Sequence, residues 1–144
     1  MRKVLACLLF AAVFSSFSDK LVSSCHADDM GVRITHIKMA EDVDNSYMPV
    51  HVKKRFPAGT SRLFCWFRWT NAAPSTPITV KWIYLTDNIS ILNYLITLPR
   101  KHGTGGAALE MPEGKALPAG LYKAMLVEDK KTLKAISFRI VEKK

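Results

Sequence analysis

Short stretches in which apolar and polar residues alternate, each bounded by turn-forming residues, constrain the fold of this chain more than any other feature. The clearest stretch is Ser61–Thr70, which places Leu63, Cys65, Phe67 and Trp69 on one face of an extended chain. A two-residue period is typical of a β-strand with one buried face. From residue 31 onward, no stretch has a helical period long enough to build a layer. We therefore predict an all-β domain.

Further stretches of this kind predict the remaining strands. The expected strands are Val32–Met39, Pro49–Arg55 (as an edge), Ile78–Leu85, Ile89–Leu98, Ala107–Met111 and a closing hairpin of Leu121–Glu128 with Leu133–Glu142. Turns or connections are expected at Ala40–Ser46, Pro57–Gly59, Asn71–Pro77, Asp87–Asn88, Pro112–Gly114 and Asp129–Lys131, and a mobile loop at Arg100–Gly106. About seven or eight short strands at this spacing predict an antiparallel β-sandwich.

Three motifs in these strands are shared with a known class of domain. They are Trp82, the entry Pro118–Tyr122 (Pro-Ala-Gly-Leu-Tyr) to the penultimate strand, and Ser137–Ile140 (Ser-Phe-Arg-Ile) in the last strand. With them, residues 56–142 resemble the immunoglobulin-like domains of bacterial exported proteins of unassigned function. The resemblance implies an immunoglobulin-like sandwich that binds rather than catalyses, and it carries over no catalytic residues.

The first 27 residues have the features of a cleavable secretory signal peptide. Arg2 and Lys3 form a positive start, and the apolar stretch Val4–Phe14 is too short to span a bilayer. Small residues at Cys25 and Ala27 favour cleavage after Ala27, which predicts one exported domain of residues 28–144, periplasmic or secreted.

Two other forms of processing stay open. Cleavage after Ser18 would retain residues 19–27. Alternatively, Val22–Cys25 would act as a lipobox, with Cys25 acylated and the domain anchored to a membrane. No later apolar stretch approaches the length of a transmembrane span, so the mature chain is expected to be free or lipid-anchored.

The charge of the chain predicts the character of its partners. The full sequence has a formal net charge of +9, and removal of residues 1–27 leaves 18 basic and 11 acidic residues, or +7. A positive field attracts anionic partners, which outside the cytoplasm are acidic proteins, anionic surface polymers or phospholipid head groups. We expect no nucleic-acid partner because of this compartment. The alternative is that the charge serves only solubility.

Cysteine usage predicts a structural thiol. Cys7 leaves with the signal peptide, as does Cys25 on the favoured cleavage, so Cys65 has no partner in the mature chain. Free cysteine is among the most buried residue types, which favours packing over nucleophilic chemistry. Cleavage after Ser18 would instead allow a disulfide between Cys25 and Cys65 in an oxidising compartment.

Neither a catalytic nor a cofactor motif stands out. His36, His51 and His102 have no nucleophile motif beside them, and the glycines of Arg100–Gly106 lack the Lys-Ser/Thr of a phosphate-binding loop. We therefore expect a non-enzymatic protein with no cofactor and no metal. Small exported copper carriers share this architecture, however, so copper or zinc carriage through the histidines stays an alternative.

One surface is predicted to bind a partner. If the face of Leu63 packs inward, an apolar patch with two cations projects from the outer face of two neighbouring strands: Phe64, Trp66, Arg68, Lys81, Ile83 and Leu85. Tryptophan and arginine are enriched at binding hot spots, and exposed apolar patches mark interaction sites. The partner would be an envelope or extracellular protein, an anionic surface polymer or a second copy of the chain. The alternatives are a sugar-binding module that stacks on these aromatics, or a face covered by a loop, the N-terminal segment or another strand.

Overall fold

Residues 31–144 are the part of the chain that the computed structural model describes, and they contain one short 3₁₀ helix (Pro112–Gly114) and nine β-strands. The strands are β1 (Arg33–Val43), β2 (Pro49–Val52), β3 (Arg55–Phe56), β4 (Arg62–Thr70), β5 (Thr76–Tyr84), β6 (Ile89–Leu98), β7 (Gly103–Glu110), β8 (Gly120–Glu128) and β9 (Lys131–Ile140). The predicted signal peptide, its cleavage sites and Cys25 lie outside the described residues.

The nine strands form two sheets. Their orders are β2–β1–β4–β7 and β3–β9–β8–β5–β6, and neighbouring strands are antiparallel except for the short parallel pair of β3 with β9. Apolar side chains from both sheets pack into one buried cluster. The predicted all-β sandwich is confirmed, with nine strands where seven or eight were expected.

The motifs that suggested an immunoglobulin-like domain lie at the centre of this cluster. Trp82 on β5 is fully buried, and its ring meets Phe138 of β9 edge-on, with 6.1 Å between centroids. Tyr122 of β8 donates a hydrogen bond from its hydroxyl to the carbonyl of Pro118, at 2.6 Å. A buried tryptophan and a tyrosine bonded back to the chain just upstream are features of immunoglobulin-like sandwiches. The implied immunoglobulin-like fold is therefore confirmed.

The predicted face of β4 also packs as expected. Leu63, Cys65 and Phe67 are fully buried, and Trp69 is 4% exposed. They form part of the cluster between the sheets because successive side chains of a strand point to opposite faces. The alternation in Ser61–Thr70 therefore identified the inner face of β4 correctly.

The predicted edge strand Pro49–Arg55 is two strands on different sheets. The backbone N–H of Lys53 donates to the carbonyl of Met39 on β1, at 3.1 Å, whereas the carbonyl of Lys54 accepts from Arg139 on β9, at 2.8 Å. The chain therefore leaves the first sheet and joins the second between these two lysines.

The predicted connection Ala40–Ser46 begins too early. Ala40 and Asp42 lie opposite Val52 and Val50, so β1 continues to Val43. The negative charge of this segment suggested a loop, but its backbone hydrogen bonds go to β2. The actual turn follows Val43.

The closing hairpin is confirmed with a shorter turn than expected. Asp129 and Lys130 have φ values of 45° and 70°, and β8 and β9 pair directly on either side of them. Two successive positive φ values are the geometry of a two-residue type I′ turn. Strand β9 therefore begins at Lys131, two residues before the predicted start.

The prediction of a mobile loop at Arg100–Gly106 is wrong from Gly103 onward, where β7 begins. A Cβ at Gly103 would lie 2.7 Å from the ring of Trp69, and one at Gly106 would lie 2.9 Å from the carbonyl oxygen of Cys65. The glycines therefore allow β7 to lie close against β4.

Replacing Gly106 with alanine is expected to lower the free energy of unfolding by about 1–3 kcal/mol, because the added methyl forces β7 away from the backbone of β4. Gly105→Ala is the matched comparison, since its Cβ would lie 3.3 Å from the side chain of Trp69, a milder contact than the one at Gly106. Urea unfolding followed by far-ultraviolet circular dichroism measures both. A Gly106→Ala protein as stable as the wild type would contradict this account of the glycines.

Candidate functional site

The six residues of the predicted patch lie on two different surfaces. Strand β4 pairs with β1 and β7, whereas β5 pairs with β8 and β6 in the other sheet. The segment between Thr70 and Thr76 therefore crosses from one sheet to the other, although the sequence suggested two neighbouring strands. Phe64, Trp66 and Arg68 face outward on the first sheet, opposite in direction to the buried face of β4. The premise of one continuous patch is wrong.

The other three predicted residues belong to the second sheet. Lys81 and Ile83 alternate with the buried residues of β5, and Leu85 lies one residue beyond the end of that strand. All three side chains are half-buried. Lys81 and Ile83 lie opposite Met125 and Lys123 of β8, on the outer side of that sheet.

A turn covers part of the outer face of the first sheet. The indole N–H of Trp66 donates to the carbonyl of Tyr47 at 2.7 Å, and Trp66 is only 2% exposed. Asp44 holds this turn in place, because its Oδ1 accepts hydrogen bonds from the backbone N–H groups of Ser46 and Met48, at 2.8 and 2.9 Å. The turn between β1 and β2 therefore covers Trp66, which matches the alternative of a face covered by a loop.

Cations lie over the aromatic rings of this face. Lys38 and Arg68 lie 5.8 and 5.6 Å from the centre of the Trp66 ring, and Arg62 lies 4.8 Å from that of Phe64. Such cation–π contacts contribute roughly 0.5–1 kcal/mol each at exposed sites. Among residues 31–144, neither Lys38 nor Arg68 forms an ion pair. Both positive charges remain available to an anionic partner.

A cleft of about 650 Å³ adjoins this face. Aromatic side chains line it, namely Tyr47, Phe64, Trp66 and Trp69, together with Arg100. It also contacts Ile96 and Thr97 of β6 and residues 103–106 at the start of β7. Since β7 is the last strand of its sheet, the cleft opens onto a strand edge. We call this the aromatic cleft.

Few ionisable side chains line the aromatic cleft. Tyr47 and Arg100 are the ionisable residues that line it. The buried thiol of Cys65 lies on the inner face of β4, and burial raises its pKa to about 12. At neutral pH this thiol is protonated, so it is a poor nucleophile and packs as a small apolar side chain.

The three histidines lie apart from the cleft lining and are exposed. His51 is the one with an acidic neighbour: its Nδ1 lies 3.0 Å from Glu41. The pKa of Glu41 is lowered because Lys53 donates a hydrogen bond to it, with a smaller effect from His51. Within residues 31–144 there is no group of three His, Cys, Asp or Glu side chains placed to hold a metal ion.

Sequence reasoning missed several parts of this site. Tyr47 was placed in no element, and the glycines of β7 were read as a loop. Lys38 lies directly opposite Trp66, but only the register of β1 on β4 shows this. The alternation in β4 was the one usable sequence signal, because it predicted that Phe64 and Arg68 lie on the outer face of that strand.

No helix among the described residues is long and apolar enough to cross a membrane. Neither a family model nor a curated protein matches this sequence.

Three of the solved structures with partial similarity to this chain show the range of proteins involved. An immunoglobulin-like protein of Pseudomonas aeruginosa is 17% identical, covers 76% of this chain and 95% of its own, and has a TM-score of 0.49. An alkylpurine DNA glycosylase of Pseudomonas fluorescens is 11% identical over 77% of this chain and 30% of its own, with a TM-score of 0.48. A β-glucosidase of Listeria innocua is 10% identical over 77% of this chain and 16% of its own, with a TM-score of 0.47. The fold assignment rests on the strand order and core motifs of the chain itself.

Proposed function

We propose that this protein is an exported, non-enzymatic binding module that takes an acidic, extended segment of an envelope or extracellular protein into the aromatic cleft. The observation that carries the proposal is the cleft itself, in which an aromatic wall, Arg100 and a strand edge converge. Its aromatic and arginine side chains are types enriched at binding hot spots.

The edge of β7 favours an extended segment. Among the described strands β7 pairs only with β4, so one side of its backbone is free to accept another strand. Gly103, Gly105 and Gly106 have no side chains to shield that backbone. Addition of a peptide strand to a sheet edge supplies backbone hydrogen bonds, while neighbouring side chains select the sequence. Here Tyr47 and Phe64 are placed to contact the side chains of such a segment.

The charge distribution favours an acidic partner. Arg100 lines the cleft, and Lys38 and Arg68 lie over Trp66 at its wall. The formal net charge is +9 for the full chain and +7 for residues 28–144, so the long-range field of the exported domain attracts anions as well. Like charges placed against an interface act against wrong partners, so a basic segment would be rejected.

The N-terminal sequence supports an exported location. Arg2, Lys3 and the apolar stretch Val4–Phe14 have the composition of a secretory signal. The domain would work in the periplasm or outside the cell, either free or anchored through Cys25.

A peptide titration tests this function. We expect an extended glutamate-rich peptide to change the tryptophan fluorescence of the protein, because Trp66 and Trp69 both line the cleft. The glutamine version of the peptide should bind at least about tenfold more weakly. Arg100→Glu should weaken binding of the glutamate peptide by a similar factor, because it reverses the charge in the cleft.

Arg139→Glu is the matched control. It makes the same change of charge at an exposed position on β9, in the other sheet. Equal losses in the two variants would mean that net charge alone attracts the peptide. Equal binding of the glutamate and glutamine peptides would contradict an acidic partner.

A carbohydrate ligand is the second candidate. Tyr47 is 67% exposed beside the half-buried Phe64, so the two rings offer partly open faces for a sugar. The buried Trp66 does not provide the stacking platform that the sequence suggested. Polysaccharide binding that Tyr47→Ala abolishes and Arg100→Glu leaves intact would favour this candidate. Nothing in the arrangement of residues 31–144 specifically favours copper or zinc carriage.

A further inference from the structure

Four basic side chains share the outer face of the second sheet. Each alternates with residues of its strand that point into the buried cluster, so all four point away from the core. Two of them are exposed and two are half-buried. We call this set the basic diagonal: Arg55 on β3, Arg139 on β9, Lys123 on β8 and Lys81 on β5.

The strand register places the basic diagonal in a line across four neighbouring strands. Arg55 and Arg139 lie directly opposite each other. Because Arg139 is paired with Leu121, Lys123 lies one strand over and two residues along. Lys81 repeats this step relative to Lys123. Diagonal neighbours of this kind are about 7–8 Å apart, so positive charges recur at a regular interval across the sheet.

The positive charge of this face is not balanced by the rest of residues 31–144. None of the four basic residues forms an ion pair there. Glu128 is the one acidic residue of the five strands of this sheet, all of which are described, and it lies opposite Lys131 beside the turn between β8 and β9. Like charges directly opposite each other destabilise a sheet, and Arg55 with Arg139 is such a pair. A carboxylate bound across the two guanidinium groups relieves this repulsion and accepts charge-assisted hydrogen bonds from them.

Apolar side chains fill the spaces between these cations. Leu121 and Met125 of β8 and Ile83 of β5 lie on the same face and are half-buried. None of the three is among the exposed large apolar side chains of residues 31–144, so no apolar side chain between the cations protrudes far enough to enter a lipid bilayer. Sugar rings present C–H groups that pack flat against a shallow surface of this kind.

The middle of the sheet offers no backbone groups to a peptide ligand. Strands β8 and β5, which carry Lys123 and Lys81, each pair with a strand on both sides. Their backbone hydrogen-bonding groups are therefore used within the sheet. A ligand on this face is recognised by side chains alone, unlike an extended segment at the edge of β7. This difference favours a carbohydrate chain over a peptide.

We propose that the basic diagonal binds a linear anionic polysaccharide with a carboxylate on each sugar. Negative charges that recur along one polymer match cations that recur along a line, and successive contacts to the same chain reinforce each other. An exported domain meets such polymers at cell surfaces. The basic diagonal lies on the other sheet from the aromatic wall of the cleft, so this proposal does not depend on whether the cleft binds an acidic segment.

A fluorescently labelled oligogalacturonate tests the proposal by anisotropy with the purified protein. The oligomer should bind, and its methyl-esterified form, which has the same sugars without the charges, should bind at least about tenfold more weakly. Arg139→Glu should weaken binding of the charged oligomer at least about tenfold, because it places a carboxylate against the polymer. Arg100→Glu and Tyr47→Ala, both in the aromatic cleft, should leave this binding unchanged.

The same variants separate this proposal from the function proposed for the cleft. Arg139→Glu should lose the oligogalacturonate and keep the glutamate peptide, whereas Arg100→Glu should lose the peptide and keep the oligogalacturonate. Loss of oligogalacturonate binding in Tyr47→Ala would place the sugar in the cleft and overturn a site on the basic diagonal.

Relocation of one charge tests the line itself. Ala135 lies on the same outer face, two strands away from Lys81 in the row that passes through Met125. Lys81→Ala should weaken oligogalacturonate binding about threefold, the usual effect of one exposed charge pair. The double variant Lys81→Ala/Ala135→Lys restores the composition and net charge but not the line, so it should bind as weakly as Lys81→Ala. Full recovery of binding in the double variant would show that net charge alone attracts the polymer.

Other ligands decide the class of partner. Polyglutamate that binds the wild type as tightly as oligogalacturonate would overturn the preference for sugars. Vesicles containing phosphatidylglycerol that bind more tightly than the oligomer, with the same loss in Arg139→Glu, would identify a membrane surface as the partner and overturn the proposal. A wild type that binds the charged oligomer no better than its methyl ester also overturns it.

Discussion

Replacing Trp82 with alanine is expected to lower the free energy of unfolding by about 3–5 kcal/mol, the usual loss for a fully buried tryptophan. Trp82 is 0% exposed and packs edge-on against Phe138, which in turn stacks on Tyr122 at 5.1 Å between ring centroids. The truncation leaves a cavity at the point where both sheets meet. Because domains of this size are stable by about 5–15 kcal/mol, the variant should unfold at much lower urea concentrations.

Trp82→Phe is the informative control for this prediction. The indole Nε1 of Trp82 is buried without a hydrogen-bond partner among the described residues, and a buried unpaired donor is costly. Phenylalanine removes that donor and keeps most of the ring contacts, so we expect a loss well below that of alanine. Circular dichroism is the suitable probe, since Trp66 and Trp69 would complicate fluorescence. If alanine and phenylalanine cost the same, packing of the ring against Phe138 is not what stabilises the core.

The fold was predictable because it is encoded in local patterns. Alternation identified the inner face of β4, and the Pro118–Tyr122 entry marked the corner at the start of β8. The errors arose where tertiary contacts override composition. Acidic residues at the end of β1 looked like a loop, and the glycines of β7 looked mobile. In fact those glycines are needed for close approach to Trp69 and Cys65.

The candidate site was less predictable because it depends on strand order. Adjacent strands in sequence suggested that Trp66 and Ile83 share a surface, but β4 and β5 belong to opposite sheets. Trp66 is covered through a hydrogen bond to Tyr47, a residue 19 positions away in the chain. Similarly, only the place of β6 at the edge of the second sheet shows that its apolar side chains are exposed. Neither relationship follows from periodicity.

The position of Cys65 in the fold is informative, although this buried residue forms no disulfide within residues 31–144. Immunoglobulin domains of antibodies join their two sheets by a disulfide, with one cysteine two residues after the corner tyrosine and a tryptophan packed against the bridge. In this chain, Ala124 follows the corner tyrosine Tyr122 by two residues, is fully buried and lies opposite Trp82 on β5. Cys65, on the facing sheet, belongs to the same buried cluster. By this correspondence, Cys65 stands where one cysteine of the bridge would lie, and Ala124 stands where the other would lie.

Ala124→Cys is expected to form a disulfide with Cys65 and to raise the free energy of unfolding by about 2–4 kcal/mol relative to its reduced form. Burial raises the pKa of Cys65 to about 12, so the folded protein holds almost no thiolate. Oxidation should therefore take place during refolding. Mass spectrometry of residues 28–144 should show a protein lighter by two hydrogens with no free thiol after denaturation, and urea unfolding with and without reductant measures the gain.

The double variant Cys65→Ser/Ala124→Cys is the control, since it keeps the new cysteine and removes its partner. Reductant should leave its stability unchanged. Two free thiols in Ala124→Cys after oxidative refolding, or a disulfide that adds no stability, would show that β4 and β8 do not face each other as in antibody domains. A stabilising bridge would show that the sheets already have the antibody geometry. The unpaired thiol of the wild type would then be a consequence of the alanine at position 124 and not of a different arrangement of the core.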